Sequence, residues 1–266
     1  MKVSIITPSY NHAHFIEKTI NSVLSQSYSD IEYIVMDGNS TDSTREILKS
    51  YEDRLTWFSE DDAGQSDAIN KGIRLATGEV VCFLNSDDTF EPEAISQVVA
   101  YFHSNKNCKW LYGKCRIIDL DDNEIRKPIT FYKNLLSKNY SYRKLLMENF
   151  ISQPATFWKK ELHSELGYFD QDEHYVMDYE FWCRIGSKYD AGFVNSYLAN
   201  FRMYDESKSG SLKNPQFDDE LRVAKKYASD KFFIVLVHSI NRYKIVFIYQ
   251  GMSLIKKFIN TLKKRI

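Results

Sequence analysis

The sequence has few of the features that mark secreted, disulfide-bonded or thiolate-metal proteins. Its four cysteines are widely spaced and form no CxxC pair, so neither a disulfide framework nor a zinc-thiolate site is expected. The chain reaches Pro8 and polar residues after one short apolar run, which is too brief for the hydrophobic core of a signal peptide. These absences predict a cytoplasmic protein in a reducing compartment.

The charge balance and the glycine pattern argue against further classes. The chain has 35 basic and 36 acidic residues, for a formal net charge of −1, which gives no overall field that would draw it onto nucleic acid. No GxGxxG follows the first apolar run, which argues against a dinucleotide-binding oxidoreductase. Residues 8–14 also lack the glycine-rich, basic triphosphate loop that a nucleotidyltransferase would need. Without repeats or an obvious linker, one two-lobed domain is favoured.

What the sequence does contain is an alternation of strand-like and helix-like segments. Short β-branched runs at residues 3–7, 31–36 and 80–84 are typical of strands buried on both faces of a parallel sheet, and residues 55–59 form a further candidate. Between them, apolar residues from 15 to 24 repeat at helical spacing, Ser40 or Thr41 is a candidate helix cap, and a third helix over 68–75 stops by Gly78. The alternation predicts an α/β fold with right-handed βαβ units.

Polar residues collect where the predicted strands end, at 7–11, 37–41 and 85–89. Ligands bind at that edge of such sheets. Adjacent carboxylates at Asp87 and Asp88 suit a hard divalent cation, although a solvated turn is the commoner explanation for such a pair.

Two residues near the first two strand ends suit a nucleotide base. Asp37 could accept a hydrogen bond from the N–H of a uracil-type base, or could belong to an ordinary turn and helix cap. Tyr10 could stack on a base, or simply pack. Beyond residue 102, strand candidates at 110–118 and 192–202 flank a polar stretch from 119 to 149, which we interpret as acceptor-side structure.

Taken together, residues 1–202 resemble the family 2 glycosyltransferases, which have a GT-A fold. The resemblance rests on ordered segments that run along the chain: VSIITPSYN at 3–11, SVLSQS at 22–27, DGNSTD at 37–42, SEDDAGQSDAINKG at 59–72, ATGE at 76–79, LNSDD at 84–88, QPATFW at 153–158, GYFD at 167–170 and YVMDYEFWCR at 175–184. It implies a Rossmann-like, mainly parallel central sheet flanked by helices, with a nucleotide-sugar-binding half at 1–102 and an acceptor-side half at 103–205.

The resemblance also implies how the donor is bound. The residues expected to hold the nucleotide sugar are Thr7, Pro8, Tyr10, Asp37, Asp67, Lys71, Asn85 and Asp87. Of these, Thr7, Tyr10 and Asp37 are expected to hold the base and Asp87 to meet the ribose, while Asp88 is expected to bind a Mn²⁺ or Mg²⁺ ion that bridges the diphosphate. Asn85 stands where most members have an acidic residue, so whether one or both neighbouring carboxylates touch the cation stays open. Asp67 and Lys71 have a simpler alternative as part of a solvated helix face.

For the acceptor side, the resemblance implies that Asp178 is the catalytic base of an inverting transfer, which needs one base and no covalent nucleophile. Met177 stands where many members carry Glu, so the assignment depends on Asp178 alone. The residues expected beside the acceptor are Gln153, Trp182 and Arg184, with Trp182 forming part of the pocket wall. The alternative is an amphipathic helix that merely exposes Asp178 and Glu180.

The last part of the chain, residues 206–266, is expected to be a helical, basic extension. Apolar residues repeat at helical spacing while the lysines fall largely elsewhere, which describes a basic amphipathic helix; these apolar residues are Met252, Ile255, Ile259, Leu262 and Ile266. Contact with an anionic membrane surface, on the inner face of the plasma membrane, and packing on protein are equally favoured. A membrane span is not, because charged residues interrupt the apolar runs.

These features predict an inverting glycosyltransferase that uses a nucleoside-diphosphate sugar, with uridine favoured by the resemblance. The expected acceptor is a saccharide or a lipid-linked saccharide, as in surface polysaccharide or lipopolysaccharide synthesis. Asn85 and Met177 leave a second possibility open, a non-catalytic subunit of the same fold.

Overall fold

The computed structural model describes residues 1–204, 215–229 and 231–263, with the side chains of 246, 248–250 and 252–263 left undescribed. One sheet organises this part of the chain. Its strands are β1 (Val3–Ser9), β2 (Ile31–Asp37), β3 (Thr56–Ser59), β4 (Val80–Phe83), β5 (Thr89–Phe90), β6 (Trp110–Ile118), β7 (Thr156–Lys159) and β8 (Gly192–Arg202). Their order across the sheet is β3-β2-β1-β4-β7-β6-β8-β5.

The sheet is mixed, and its donor half is parallel. Strands β3, β2, β1 and β4 pair in parallel, as the nearly continuous apolar runs predicted, because both faces of such strands must be covered. Strand β7 runs antiparallel between β4 and β6, and the short β5 pairs antiparallel with β8. The mainly parallel α/β architecture that the sequence predicted is therefore confirmed.

Helices cover the sheet and extend beyond it. They are α1 (Ile16–Leu24), α2 (Thr44–Lys49), α3 (Gln65–Leu75), α4 (Ala94–Ser104), α5 (Lys127–Ser137), α6 (Tyr142–Met147), α7 (Leu162–Leu166), α8 (Met177–Gly186), α9 (Gln216–Ala228) and α10 (Phe232–Lys263), and one 3-10 turn spans Gln153–Ala155. The polar stretch from 119 to 149 contains α5 and α6.

The start of the second helix differs from the prediction. Helix α2 begins at Thr44 rather than after Ser40 or Thr41, because Asp42 ties the preceding loop. One carboxylate oxygen of Asp42 accepts hydrogen bonds from N and Oγ1 of Thr44, and the other accepts from the N–H of Ala13. The loop after β2 is thus fixed to the loop after β1.

Helices α9 and α10 pack on the acceptor-side half rather than standing apart from it. The Nδ1 of His238 donates to the carbonyl oxygen of Leu146 (2.9 Å), and Asn241 donates to that of Met147. Within the described residues, no helix has the length and apolarity that crossing a bilayer requires. The predicted stripe from Met252 to Ile266 lies outside the residues whose side chains the structure describes.

Candidate active site

The first turn of α3 joins three segments that are distant in the chain. Gln65 Nε2 donates to Asn85 Oδ1 (2.7 Å) in the loop after β4. Ser66 Oγ donates to Met177 Sδ (2.7 Å), the residue directly before Asp178. Gln171 Nε2 donates to Asp67 Oδ1 (3.2 Å). The acidic loop of the donor half and the start of α8 therefore meet across a single helical turn.

The loop after β2 is held by Asp37. Its carboxylate is only 2% exposed and accepts hydrogen bonds from the N–H of Ser40 (3.0 Å), from Ser40 Oγ (2.5 Å) and from Ser59 Oγ (2.6 Å). Asp37 therefore joins the ends of β2 and β3. A direct contact between Asp37 and a nucleotide base stays a prediction.

Of the residues expected near the base, Tyr10 is the one that faces solvent. Thr7 is fully buried, its Oγ1 lies 3.1 Å from the hydroxyl of Tyr33, and Pro8 is buried beside it. The ring of Tyr10 is 61% exposed. At Gly38 any Cβ would lie 2.6 Å from Asp62 Oδ2, so glycine leaves room for the Asp62 side chain beside this loop.

Asp67 and Lys71 form an ion pair one helical turn apart on α3. The Lys71 ammonium lies 3.3 Å from Asp67 Oδ2 and 3.0 Å from Glu60 Oε1. Burial alone would raise the pKa of Asp67, but hydrogen bonds from the Ala63 N–H and from Lys71 outweigh it and lower that pKa. Lys71 therefore ties residues 60–67 to the first turns of α3.

Asp88, the residue expected to bind the cation, lies in the loop after β4. This side chain is 0% exposed; its Oδ1 accepts from the backbone N–H of Arg202 (2.8 Å) and its Oδ2 from Asn85 Nδ2 (3.2 Å). Burial, reinforced by neighbouring Asp87, raises the pKa of Asp88 well above its usual range. The neighbouring Asp87 is partly exposed, and which of the two carboxylates meets a cation stays a prediction.

Two residues that sequence reasoning missed hold that loop in place. Arg202, at the end of β8, donates from Nε to the carbonyl oxygen of Asp87 (2.8 Å) and pairs with Asp122 (2.5 Å). The Tyr204 hydroxyl donates to Asp87 Oδ2 (3.0 Å). No local pattern marks either residue, because both reach the loop from more than 100 positions away.

Two of the residues expected on the acceptor side, Asp178 and Gln153, lie at the two segments that meet at α3. Asp178 is partly exposed in the first turn of α8, where its Oδ1 accepts from the N–H of Tyr179 (2.8 Å). Gln153 donates to the carbonyl oxygen of Phe83 (2.7 Å) and accepts from Asn85 (3.3 Å). Gln153 therefore braces the acidic loop from the acceptor side.

Trp182 and Arg184, which were expected beside the acceptor, both pack against other parts of the protein, and their contact with an acceptor stays a prediction. Trp182 is 0% exposed and stacks on Trp110 with ring centroids 5.7 Å apart. Arg184 donates to the carbonyl oxygens of Leu166 (2.6 Å) and Tyr168 (2.9 Å) and pairs with Glu180 (2.5 Å). Both side chains hold α8 in the core, since a helix packed against the sheet buries most of its surface.

Helix α9 holds the outer side of α8. Glu180 is 2% exposed and accepts from the Tyr227 hydroxyl and from Lys226 (3.3 Å). Arg222 makes a two-pronged ion pair with Glu173, in the loop that leads into α8. The position of Asp178 thus depends on a segment beyond the sheet.

The comparisons with known proteins agree with this arrangement. Residues 4–167 match the family model described as glycosyl transferase family 2, which is more than half of the chain. The chain belongs to this family.

Relatives of this family 2 glycosyltransferase include two bacterial proteins. It is 38% identical over 109 residues to an uncharacterized glycosyltransferase of Nostoc sp., covering 40% of this chain and 34% of the relative. It is 36% identical over 131 residues to a putative teichuronic acid biosynthesis glycosyltransferase, TuaG, of Bacillus subtilis, covering 48% of this chain and 52% of TuaG. The chain thus spans about a third to a half of these relatives' lengths.

Solved structures show the GT-A fold. The structure of S. aureus TarS 1-349 in complex with UDP-GlcNAc has a TM-score of 0.66 at 16% identity and covers 91% of this chain and 72% of that one. The mannosyltransferase PcManGT from Pyrobaculum calidifontis, in complex with GDP-Man and Mn2+, has a TM-score of 0.63 at 17% identity and covers 95% of this chain and 80% of that one.

The donor set of this family 2 glycosyltransferase fits a cation shared with a ligand. Among the described residues, no three His, Cys, Asp or Glu side chains are grouped so that they could hold a metal by themselves. Mg²⁺ and related ions are commonly held by one or two carboxylates, with phosphate and water completing the shell. The Asp87 carboxylate, oriented by Tyr204, suits that mode.

A buried carboxyl on α9, Glu220, was also missed by the sequence analysis. It is 8% exposed, and its Oε1 accepts from Asn149 (3.2 Å) and Gln216 (3.3 Å). Burial raises the pKa of Glu220 to about 7, with a further contribution from the charge of Asp178. Because a carboxyl in the unfolded chain ionises near 4.5, ionisation above that pH favours the unfolded state.

Glu220→Gln is therefore expected to stabilise the protein at high pH. The gain should reach about 3 kcal/mol at pH 8 and fall below about 1 kcal/mol at pH 5, where the native carboxyl is already neutral. Urea unfolding at the two pH values measures it, with the exposed Glu52→Gln as the matched control. A variant that is less stable at both pH values would mean that Glu220 is charged and paired in the native state.

Proposed function

We propose that this protein is a metal-dependent, inverting glycosyltransferase that moves a sugar from a nucleoside-diphosphate donor, a UDP-sugar, to an acceptor hydroxyl. The observation that carries the proposal is the meeting of the Asp87 loop and the start of α8 across the first turn of α3. One carboxylate for a cation and a second for a base then serve the two sides of one crevice. Residues 1–102 bind the donor in this proposal, and 103–205 the acceptor.

The nucleotide preference is supported by the neighbours. TarS is solved with UDP-GlcNAc, and PcManGT with GDP-Man and Mn2+. Because these chains share less than a fifth of their residues with this one, their ligands indicate the class of donor and not the sugar. The relationship to TuaG supports a role in surface polysaccharide or lipopolysaccharide synthesis, with a saccharide or lipid-linked saccharide as acceptor. We place that reaction in the cytoplasm.

In the proposed reaction, Tyr10 stacks on the base, and Asp87 orients the diphosphate end of the donor. A bound Mn²⁺ or Mg²⁺ ion would neutralise charge on the departing diphosphate. Asp178 accepts the proton of the acceptor hydroxyl while that oxygen attacks the anomeric carbon. The bond between that carbon and the diphosphate oxygen breaks, its electron pair leaves with the diphosphate, and the configuration inverts.

A thermal-shift panel tests the donor class. The midpoint of unfolding should rise with one class of nucleotide sugar, and rise further with manganese, because ligands that bind only the folded state stabilise it by about 2.7 kcal/mol at a hundred times their Kd. Uridine, guanosine and thymidine diphosphate sugars are compared with and without the metal. If no nucleotide raises the midpoint in either condition, the proposal fails.

Tyr10→Ala is the companion variant in this panel. Its ring is exposed, so its removal should weaken the shift without lowering the midpoint of the free protein. Phe58→Ala, which removes another exposed ring (40% exposed), is the control and should leave the nucleotide shift unchanged.

A further inference from the structure

Helix α10 exposes an apolar stripe along its first half. Six large side chains are 42% to 77% exposed: Phe232, Phe233, Leu236, Ile240, Tyr243 and Phe247. At 3.6 residues per turn they fall within an arc of about 100°, over a length of about 22 Å. Large apolar side chains that form one continuous patch mark an interaction surface, whereas single exposed ones do not.

The opposite face of α10 is fixed to the protein, so the stripe is held outward. Ile234 is 2% exposed and His238 3% exposed. The hydrogen bonds of His238 and Asn241 go to the end of α6. One face of α10 therefore packs on the acceptor-side half, and the opposite face, which carries the stripe, stays exposed to solvent.

Helix α5 widens this surface. It exposes Phe131 (71%) and Leu135 (55%), and the Lys244 ammonium donates to the hydroxyl of Tyr132 (2.7 Å), which joins the two helices. The Arg143 guanidinium lies 5.4 Å from the ring centre of Phe233. Apolar side chains with cationic groups between them thus form a surface of two helices.

Charge is segregated onto the same elements. Residues 126–147, which include α5 and α6, and residues 231–266, which include α10, hold 14 of the chain's 35 basic residues and none of its 36 acidic residues. The rest of the chain is therefore strongly acidic in net charge. Nine of those 14 basic residues have described side chains, and one of them, Arg242, pairs with Asp218 of α9. The excess of basic residues on these helices favours an anionic partner.

We infer that the stripe of α10, together with Phe131 and Leu135, docks this protein on an anionic membrane surface. Phenylalanine and tyrosine rings suit the boundary between headgroups and acyl chains, and the basic side chains meet anionic headgroups. A second copy fits less well, because a symmetric contact would face this basic surface with itself. Aliphatic Leu236 and Ile240 likewise favour lipid over nucleic acid.

The inference rests on the proposed function in one respect: membrane docking would bring the active site to a lipid-linked acceptor. It differs from the surface that the sequence indicated, since the stripe lies at 232–247 and not at 252–266. Vesicle binding needs no catalysis, so the two proposals can fail separately.

Co-sedimentation of the full chain with vesicles tests the docking surface. Vesicles of phosphatidylcholine alone are compared with vesicles of equal parts phosphatidylcholine and phosphatidylglycerol. We expect binding to the anionic vesicles, weaker binding to the neutral ones, and a loss of affinity as salt is raised. Equal binding to both, or none to either, would overturn the inference.

The double variant Ile240→Ser, Phe247→Ser tests the stripe itself. Both side chains are exposed, so the fold should be kept, and each loss should weaken vesicle binding about tenfold. The control is Leu75→Ser, Leu120→Ser, which removes two exposed leucines elsewhere (46% and 45%) and should bind as the wild type does. If the stripe variant and the control variant lose vesicle affinity equally, the stripe is not a specific docking surface.

Two further measurements distinguish a membrane from a second copy of the chain or a nucleic acid as the partner of the stripe. Sedimentation velocity without lipid should show the same mass for wild type and stripe variant, whereas a dimer that the variant dissociates would assign the stripe to a second copy. Single-stranded RNA that binds with the same dependence on Ile240 and Phe247 would assign it to nucleic acid. Asp178→Asn should bind vesicles normally, which separates a failure of docking from a failure of the catalytic proposal.

Discussion

Asp178→Asn is expected to lower the turnover number for sugar transfer by about 10²- to 10⁴-fold, the range that a positioned base contributes. Asparagine has the same shape and still accepts the hydrogen bond from the N–H of Tyr179, but it cannot take a proton from the acceptor. Binding of the nucleotide sugar should be unchanged, because the residues proposed to bind the donor lie on other segments than α8. Steady-state kinetics and donor titration measure the two effects.

The control for this variant is Asp172→Asn, an exposed carboxylate in the loop before α8, which should transfer sugar at the wild-type rate. Glu180→Gln gives a second contrast. Because Glu180 holds α9 through Tyr227 and Lys226, this substitution should lower the free energy of unfolding more than it lowers turnover. Near-normal turnover of Asp178→Asn would refute the role of Asp178 as the base.

Asp87→Asn is expected to cause the second large loss, about 10²- to 10³-fold in kcat/KM, because metal stabilisation of the departing group contributes several kcal/mol. The manganese-dependent part of the donor thermal shift should disappear as well, since the amide no longer supplies a charged oxygen. The Tyr204 hydroxyl can still donate to the asparagine oxygen, so the loop should keep its shape. Kinetics at varied manganese concentration measure the effect.

The matched comparison is Asp88→Ala at the neighbouring position. Its loss would leave the backbone N–H of Arg202 buried without an acceptor, which costs about 1–3 kcal/mol of stability. The free protein should therefore unfold at a lower temperature, while Asp87→Asn should not change that temperature. The opposite pattern, with Asp88 controlling the metal response in a stable protein, would assign the cation to Asp88.

The strands and the edge where the site lies could be predicted from the sequence because they follow from local patterns. Strands β6 and β8 have the bounds that their apolar runs indicated, Trp110–Ile118 and Gly192–Arg202. The crossovers between parallel strands then leave their polar ends at one edge. Asp87 and Asp178 were named from ordered motifs, and the structure leaves both partly exposed.

What the sequence did not indicate is how far some of the expected site residues are buried. Asp88 and Trp182 are both 0% exposed, because the backbone of Arg202 covers the first and the ring of Trp110 stacks on the second. Arg202 and Glu220 were missed because no motif surrounds them in the sequence. Arg202 contacts the acidic loop, and Glu220 is buried against Asn149. Sequence spacing does not encode which partner desolvates a side chain.

The sequence by itself determined the α/β class, the strand ends that carry polar groups and the membership of a known family, because hydrophobic periodicity and short motifs act over a few residues. Only the tertiary structure decided which carboxylate of the Asp87–Asp88 pair is accessible, that α3 links the acidic loop to Asp178, and that α10 keeps an apolar stripe outward. Those properties depend on contacts between segments about 20 to 115 positions apart, and burial and charge are set by such contacts.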